Sequence, residues 1–151
     1  MIPGTIGCIL EKINSKFIPQ DRTYLFEKGI LYGIENDFNA AAHILLPQIE
    51  NSLRYIAHQK EIITTQLSQN LQQENTLGGT LEKLKGEMSN DLWSELDHFL
   101  ASGCNFRNNV MHGLISPLVI EQVGIYLWWL CLKIIYNTDE FFFTPHSNSE
   151  R

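Results

Sequence analysis

The sequence predicts an all-α fold. It reads as a helical bundle of about five or six helices, with a polar middle loop and an apolar C-terminal helix. Three observations carry this. Apolar residues recur at i, i+3, i+4 and i+7 along most of the chain. Proline, glycine and capping residues punctuate those runs at intervals suited to helices. The 151 residues are 44% apolar and 19% charged, the composition of a globular chain long enough for one core. A single domain over 1–151 is expected.

Ile6, Ile9, Leu10, Ile13 and Phe17 share one helical face. They predict an N-terminal helix over 1–16 that opens after Gly4, with Thr5 as a cap and Pro19 as its limit. Asp21 is placed to cap a second helix from Arg22 to about Ile34, with Phe26, Ile30 and Ile34 on one side. Gly29 and Gly33 weaken that helix or admit a close neighbour. Glu35-Asn36-Asp37 marks a break and a new cap. The helix after it, about Phe38 to His58, has the stripe Ala41, Leu45, Ile49, Leu53 and Ile56, with a kink expected at Pro47. His43 falls near this stripe and is expected to be a hydrogen-bonded, half-buried residue.

From Gln59 to Asn75 the chain turns polar, with only Ile62, Ile63, Leu67 and Leu71 as a thin apolar line. A loop or frayed helix is expected there. Thr76-Leu77-Gly78-Gly79 introduces a short helix carrying Leu77, Leu81 and Leu84, stopped by Gly86. Ser89 to Asp91 cap another with Leu92, Trp93, Leu96, Phe99 and Leu100, ended by Gly103. Asn105 opens a further helix that stops between Gly113 and Pro117. The last, about Leu118 to Asn137, is apolar all round over Ile125 to Leu132. Such a helix is buried on every side or shared with a partner. Phe141, Phe142 and Phe143 are expected to dock on the domain or on a partner, and the tail over 144–151 to be disordered.

A net charge of −6 argues against a broad basic footprint for nucleic acid, yet leaves room for a small local site. Cys8, Cys104 and Cys131 are far apart and odd in number, which fits a reducing cytoplasm and suggests no disulfide framework. No Cys-x-x-Cys pair exists, and the histidine spacings suit no metal set, so neither metal nor cofactor is expected. No signal peptide is apparent. The stretch free of ionisable residues, Gln122 to Leu132, is short for a membrane span, so no membrane association is expected. The chain is readable as a whole protein or as a piece of a longer one.

Chemistry concentrates in Asn105-Phe106-Arg107-Asn108-Asn109-Val110-Met111-His112-Gly113. On a helix Asn108 and His112 share a face, and Arg107 reaches over from one residue away. A histidine that exchanges protons near neutrality then sits beside a permanent cation and an amide. Phosphodiester chemistry uses such a set: a general acid or base, and a charge that stabilises the transition state. The plain alternative is a helix start in which Asn105 caps and His112 bonds a neighbour. Glu50 and Arg54, at i and i+4, are readable as a solvated ion pair or as a second wall of the site. In the second case Glu50 holds Arg54 or His112, and Arg54 adds charge for a phosphate.

Arg107-Asn108, three residues, then His112 resembles the signature of the HEPN superfamily of helical domains. Phe17 to Arg22, Phe26 to Gly29, Ala42 to Arg54, Thr76-Leu77-Gly78 and Asn105 to Leu114 together resemble the C-terminal region of the family catalogued as domain of unknown function 4209. The resemblance runs from about Phe17 to about Leu132. It implies a HEPN-like bundle and a metal-independent endoribonuclease that uses the RNA's own 2′-hydroxyl as nucleophile. His112 would handle the proton, Arg107 would stabilise charge at phosphorus, and Asn108 would orient the histidine or a phosphate oxygen. It further implies a homodimer with the groove between subunits, and admits a toxin or antiviral effector held by an inhibitory protein partner. The alternative within the same resemblance is a non-catalytic module that binds RNA or nucleotide, or serves in dimerisation and partner docking. There Arg107 would pair with a phosphate or with Glu50.

Overall fold

In the computed structural model, residues 4–68 and 71–145 are described, those over 66–68 and 71–74 by backbone alone. Helix α3 (Phe38–Gln59) is the element around which the others pack. Asp37 caps it by accepting from the Ala40 N–H at 2.9 Å. Its stripe Ala41, Leu45, Ile49, Leu53 and Ile56 is wholly buried. Pro47 lies inside the helix, and its missing N–H leaves the His43 carbonyl without its usual partner. His43 itself is exposed, with Nδ1 2.8 Å from the Asn39 carbonyl oxygen, so it is hydrogen-bonded but not half-buried as expected.

Helices α2 (Thr23–Ile34) and α7 (Pro117–Tyr136) make the most extensive contacts with α3. Both approach it closely through glycine. A Cβ on Gly29 of α2 would fall 2.4 Å from the Leu45 side chain, and one on Gly124 of α7 would fall 2.7 Å from the Phe38 carbonyl oxygen; Gly33 does the same between α2 and α7, 2.2 Å from the Trp128 ring. Glu121 of α7 accepts from the N–H groups of Phe38 and Asn39 at 3.2 and 2.7 Å, so a carboxylate from α7 neutralises the first turn of α3.

Helix α1 (Thr5–Ile13) is shorter than the sequence suggests. Asn14 adopts the left-handed conformation (φ 49°) and stops it before Pro19 can act. Gly4, not Thr5, holds the cap position. Phe17 is nonetheless fully buried, stacked on Phe142 at 6.0 Å, so its place in the apolar pattern came from the core and not from the helix. Asp21 lies in a 3-10 turn, Gln20–Arg22, and pairs with Arg22 at 3.3 Å without capping α2.

The middle of the chain corrects the expected loop or frayed helix. Glu61 turns left-handed (φ 59°), and β1 (Thr65–Ser68) pairs antiparallel with β2 (Leu71–Glu74), Thr65 opposite Glu74. The β-branched run Ile62-Ile63-Thr64-Thr65 disfavours helix and favours extended backbone. Apart from this ribbon the fold is all-α. Helix α4 (Leu77–Leu84) buries Leu77, Leu81 and Leu84 and is capped by Thr76. Helix α5 (Asn90–Leu96), capped by Ser89, runs on as a π-helical turn over Asp97–Ala101. Helix α6 (Phe106–Met111) follows, and the C-terminal aromatics add a short α8 (Thr138–Phe142), so the helices exceed the expected five or six. Phe142 is buried, and the Phe141 carbonyl accepts from the Ser89 N–H at 2.8 Å, so these aromatics dock on the domain. Of the tail over 144–151, residues 146–151 lie outside the described residues.

Helix α7 is long and apolar enough to cross a membrane by length and composition, with mean hydropathy 1.6. Its inner face buries Leu127, Leu130, Cys131 and Ile134 completely. Leu118, Ile125 and Trp129, at i, i+7 and i+11, share an outer face and are exposed. At its edge the Tyr126 hydroxyl donates to Glu95, which also pairs with Lys133 at 2.8 Å. Desolvation, that hydrogen bond and the Glu95 charge push Tyr126 up to about 12.

Candidate functional site

Helix α6 is short, and its placement rests on two residues. Phe106 and Val110, at i and i+4, are both buried, and the Phe106 ring stacks on Phe99 at 5.0 Å. Anchoring that face leaves Arg107 and Asn108 on the side toward α3. Asn105 occupies the cap position in a left-handed conformation (φ 49°), but its side chain makes no cap bond. Asparagine tolerates this conformation better than most residues.

Across from α6, Glu50 projects from α3 with only 8% of its side chain exposed. Its Oε1 accepts from Arg54 Nη2 at 2.5 Å, and its Oε2 from Arg107 Nε at 2.8 Å. One buried carboxylate therefore bridges two guanidiniums. Arg54 Nη2 also donates to the Asn75 carbonyl at 3.0 Å, and Arg107 Nη1 to Asn108 Oδ1 at 2.8 Å. Arg107 is thus fixed from two sides, as a planar fork of donors allows. Its side chain stays 30% exposed, open to a cleft of about 540 Å³.

The cleft brings together Glu50, Arg54, Asn105, Arg107 and Asn108, five of the six residues singled out from the sequence. The sixth, His112, is not among its lining residues. Helix α6 ends at Met111, and His112 sits at the C-cap (φ −99°, ψ 4°), exposed and without a side-chain hydrogen bond among the described residues. The helical spacing holds along the backbone, where the His112 N–H donates to the Asn108 carbonyl at 2.9 Å, but the imidazole makes no hydrogen bond to the Asn108 amide among the described residues. Asn108 gives its oxygen to Arg107, so it orients the arginine and not the histidine.

The remaining wall was not legible from residue types. It consists of Asn75 to Gly78, at the start of α4, and of Asp97 and Leu100 to Ser102, in and just after the π turn. The side chain of Asn75 is buried, and neither its nitrogen nor its oxygen has a partner among the described residues. A short polar residue directly before a Thr cap was the available signal, but burial cannot be read from it. Ser102 Oγ donates to Asp97 Oδ2 at 2.5 Å, holding that carboxylate at the rim. Among the described residues no group of three or more His, Cys, Asp or Glu side chains is arranged to hold a metal.

Chemically, the cleft presents two partly exposed guanidiniums that share one buried counter-charge, beside a helix N-terminus. That arrangement suits a small anion with several acceptor oxygens, a phosphate above all. No protein-family model, no curated protein and no solved structure matches the chain.

Proposed function

We propose that the chain is a HEPN-like helical domain that binds RNA at the Arg107 cleft and cleaves it without a metal. The observation that carries this is the Arg107 guanidinium, clamped by buried Glu50 and by Asn108 yet open to the cleft. A pre-positioned cation of this kind stabilises charge developing on a phosphodiester without reorganising during the reaction. In the reaction the RNA's 2′-hydroxyl attacks phosphorus and the 5′-oxygen leaves, giving a 2′,3′-cyclic phosphate and a 5′-hydroxyl end. One proton passes from the attacking to the leaving oxygen, and His112, exposed and without a side-chain partner among the described residues, is the group in this stretch able to relay it. The need for a 2′-hydroxyl restricts the activity to RNA.

A homodimer belongs to this reading. Met111 and Leu114 flank His112, and both are exposed, as are Leu118, Ile125 and Trp129 on the outer face of α7. A second copy laid on this apolar surface covers it and brings a second His112 near the same groove. An effector restrained by an inhibitory protein partner, in a cytoplasmic setting, is a form of the same proposal.

A second reading is favoured by the place of His112 outside the cleft lining. It makes the chain a non-catalytic module that holds a phosphate-bearing ligand through Arg54 and Arg107. The test is RNA cleavage in EDTA by the wild type, Arg107→Ala and His112→Ala, with mass and far-UV circular dichroism checked on each. Cutting that disappears in both folded variants supports the ribonuclease. Binding that needs Arg107 but not His112, with no cutting, supports the module.

A further inference from the structure

We propose that the N-terminus of α4, with Arg54, is a second phosphate subsite of the Arg107 cleft, and that Asn75 is kept unpaired for the ligand bound there. The inference rests on the reading of that cleft as a phosphate site. The two oxygens of Glu50 hold the guanidiniums apart: Arg107 lies on one, beside Asn108, and Arg54 on the other, bonded to the Asn75 carbonyl. Arg54 therefore stands at the residue that precedes the Thr76 cap of α4.

The first turn of α4 is open. Thr76 Oγ1 accepts from the Gly79 N–H at 3.2 Å, while the N–H groups of Leu77 and Gly78 have no acceptor among the described residues. These are the free donors of a helix start, and they carry its positive partial charge. A side chain at Gly78 fits without moving the backbone, since its Cβ would meet only the Ala101 Cβ, at 4.0 Å. A helix start alone would not define a site. Asn75 supplies the independent observation. It is 6% exposed, it lines the same cleft, and both polar atoms of its amide lack a partner among the described residues. Buried amides are nearly always paired, and leaving one unpaired is costly. Both amide atoms are out of contact with solvent, so a rotation of the side chain toward the cleft brings the Asn75 nitrogen to the oxygens of a phosphate drawn in by Arg54 and the α4 N–H groups. The ligand class is thus a phosphate group, carried by an RNA backbone next to the phosphate on Arg107, or by a free nucleotide.

The test uses the whole chain with two probes, a fluorescein-labelled oligouridylate and inorganic pyrophosphate. Gly78→Asp places a carboxylate in the subsite at a helix position that favours acidic residues, so the fold should melt at or above the wild-type temperature. Binding of both probes should weaken by about tenfold or more, and the salt dependence of RNA binding should fall by roughly 0.7 in log–log slope, one phosphate's share. Gly78→Ala should bind like the wild type. Asn75→Leu should melt higher than the wild type, by removing the unpaired amide, and bind more weakly. Tighter binding of RNA than of pyrophosphate assigns the subsite to backbone phosphate; the reverse assigns it to a free nucleotide. Wild-type affinity in folded Gly78→Asp, or an equal loss in Gly78→Ala, overturns the subsite. If Arg107→Ala still loses binding in that case, the cleft reading stands without it. If the wild type binds neither probe, both are overturned.

Discussion

Replacing Glu50 by glutamine probes the one group on which the cleft depends. Glutamine keeps the shape, so the change isolates charge and acceptor count. In the wild type Oε1 takes Arg54 at 2.5 Å and Oε2 takes Arg107 at 2.8 Å. Glutamine retains one acceptor and turns an amide donor toward the other guanidinium. Each charge-assisted bond contributes about 1.5–3 kcal/mol. Breaking a buried pair costs about 3–5 kcal/mol when the orphaned charge stays buried. Here the arginine side chains are 25% and 30% exposed, so water recovers part of the loss. A destabilisation of about 2–4 kcal/mol follows. For a chain of this size that lowers Tm by about 5–15 °C. The same change leaves two cations without their counter-charge, so pyrophosphate should bind more tightly and restore part of the lost Tm. Thermal unfolding followed by far-UV circular dichroism, with and without pyrophosphate, reads both effects. A variant that melts within about 2 °C of the wild type and gains no affinity for pyrophosphate would refute the bridging role.

Two further outcomes follow from packing. Gly124→Ala should cost about 1–3 kcal/mol in urea unfolding, because its Cβ would meet the backbone oxygen of Phe38, which cannot rotate away, and α7 must back off α3. In a thiol titration of the folded chain Cys8 and Cys104, both exposed, should react, and Cys131 only after denaturant is added. Burial both shields that thiol and raises its pKa, which suppresses the reactive thiolate.

The long elements were legible because periodicity and caps agreed. Asp37, Thr76, Ser89 and Glu121 show how. The first three follow from local sequence, and each accepts the hydrogen bond expected of a cap. Glu121 caps α3 from 82 and 83 residues away, which no local pattern reveals. Phe17 misled in the other direction. It continues the apolar spacing of α1, but Asn14 had already ended that helix, and tertiary packing alone buries the ring. The ribbon β1–β2 was hidden by its polar composition, although Ile62 to Thr65 carried the β-branched signal.

At the cleft, the i, i+4 spacing of Glu50 and Arg54 gave their pair directly. Arg107 joins the same carboxylate across 57 residues, a contact the sequence raised only for Arg107 and only in the non-catalytic alternative; for Glu50 it had raised Arg54 or His112. What the spacing did not reveal was the partner of each side chain. The backbone bond from the His112 N–H to the Asn108 carbonyl is made at 2.9 Å, yet the Asn108 amide is taken by Arg107 and His112 lies outside the cleft lining. The separation of His112 from the cleft is why the proposed chemistry calls on a second copy of the chain.

The most direct measurement is the product of RNA incubated in EDTA with the wild type and, in parallel, with folded His112→Ala. The account predicts cleavage by the wild type alone, leaving 2′,3′-cyclic phosphate and 5′-hydroxyl ends, and none on a strand with 2′-deoxy sugars. Intact RNA after incubation with folded, dimeric wild type, or equal cutting by His112→Ala, would contradict it.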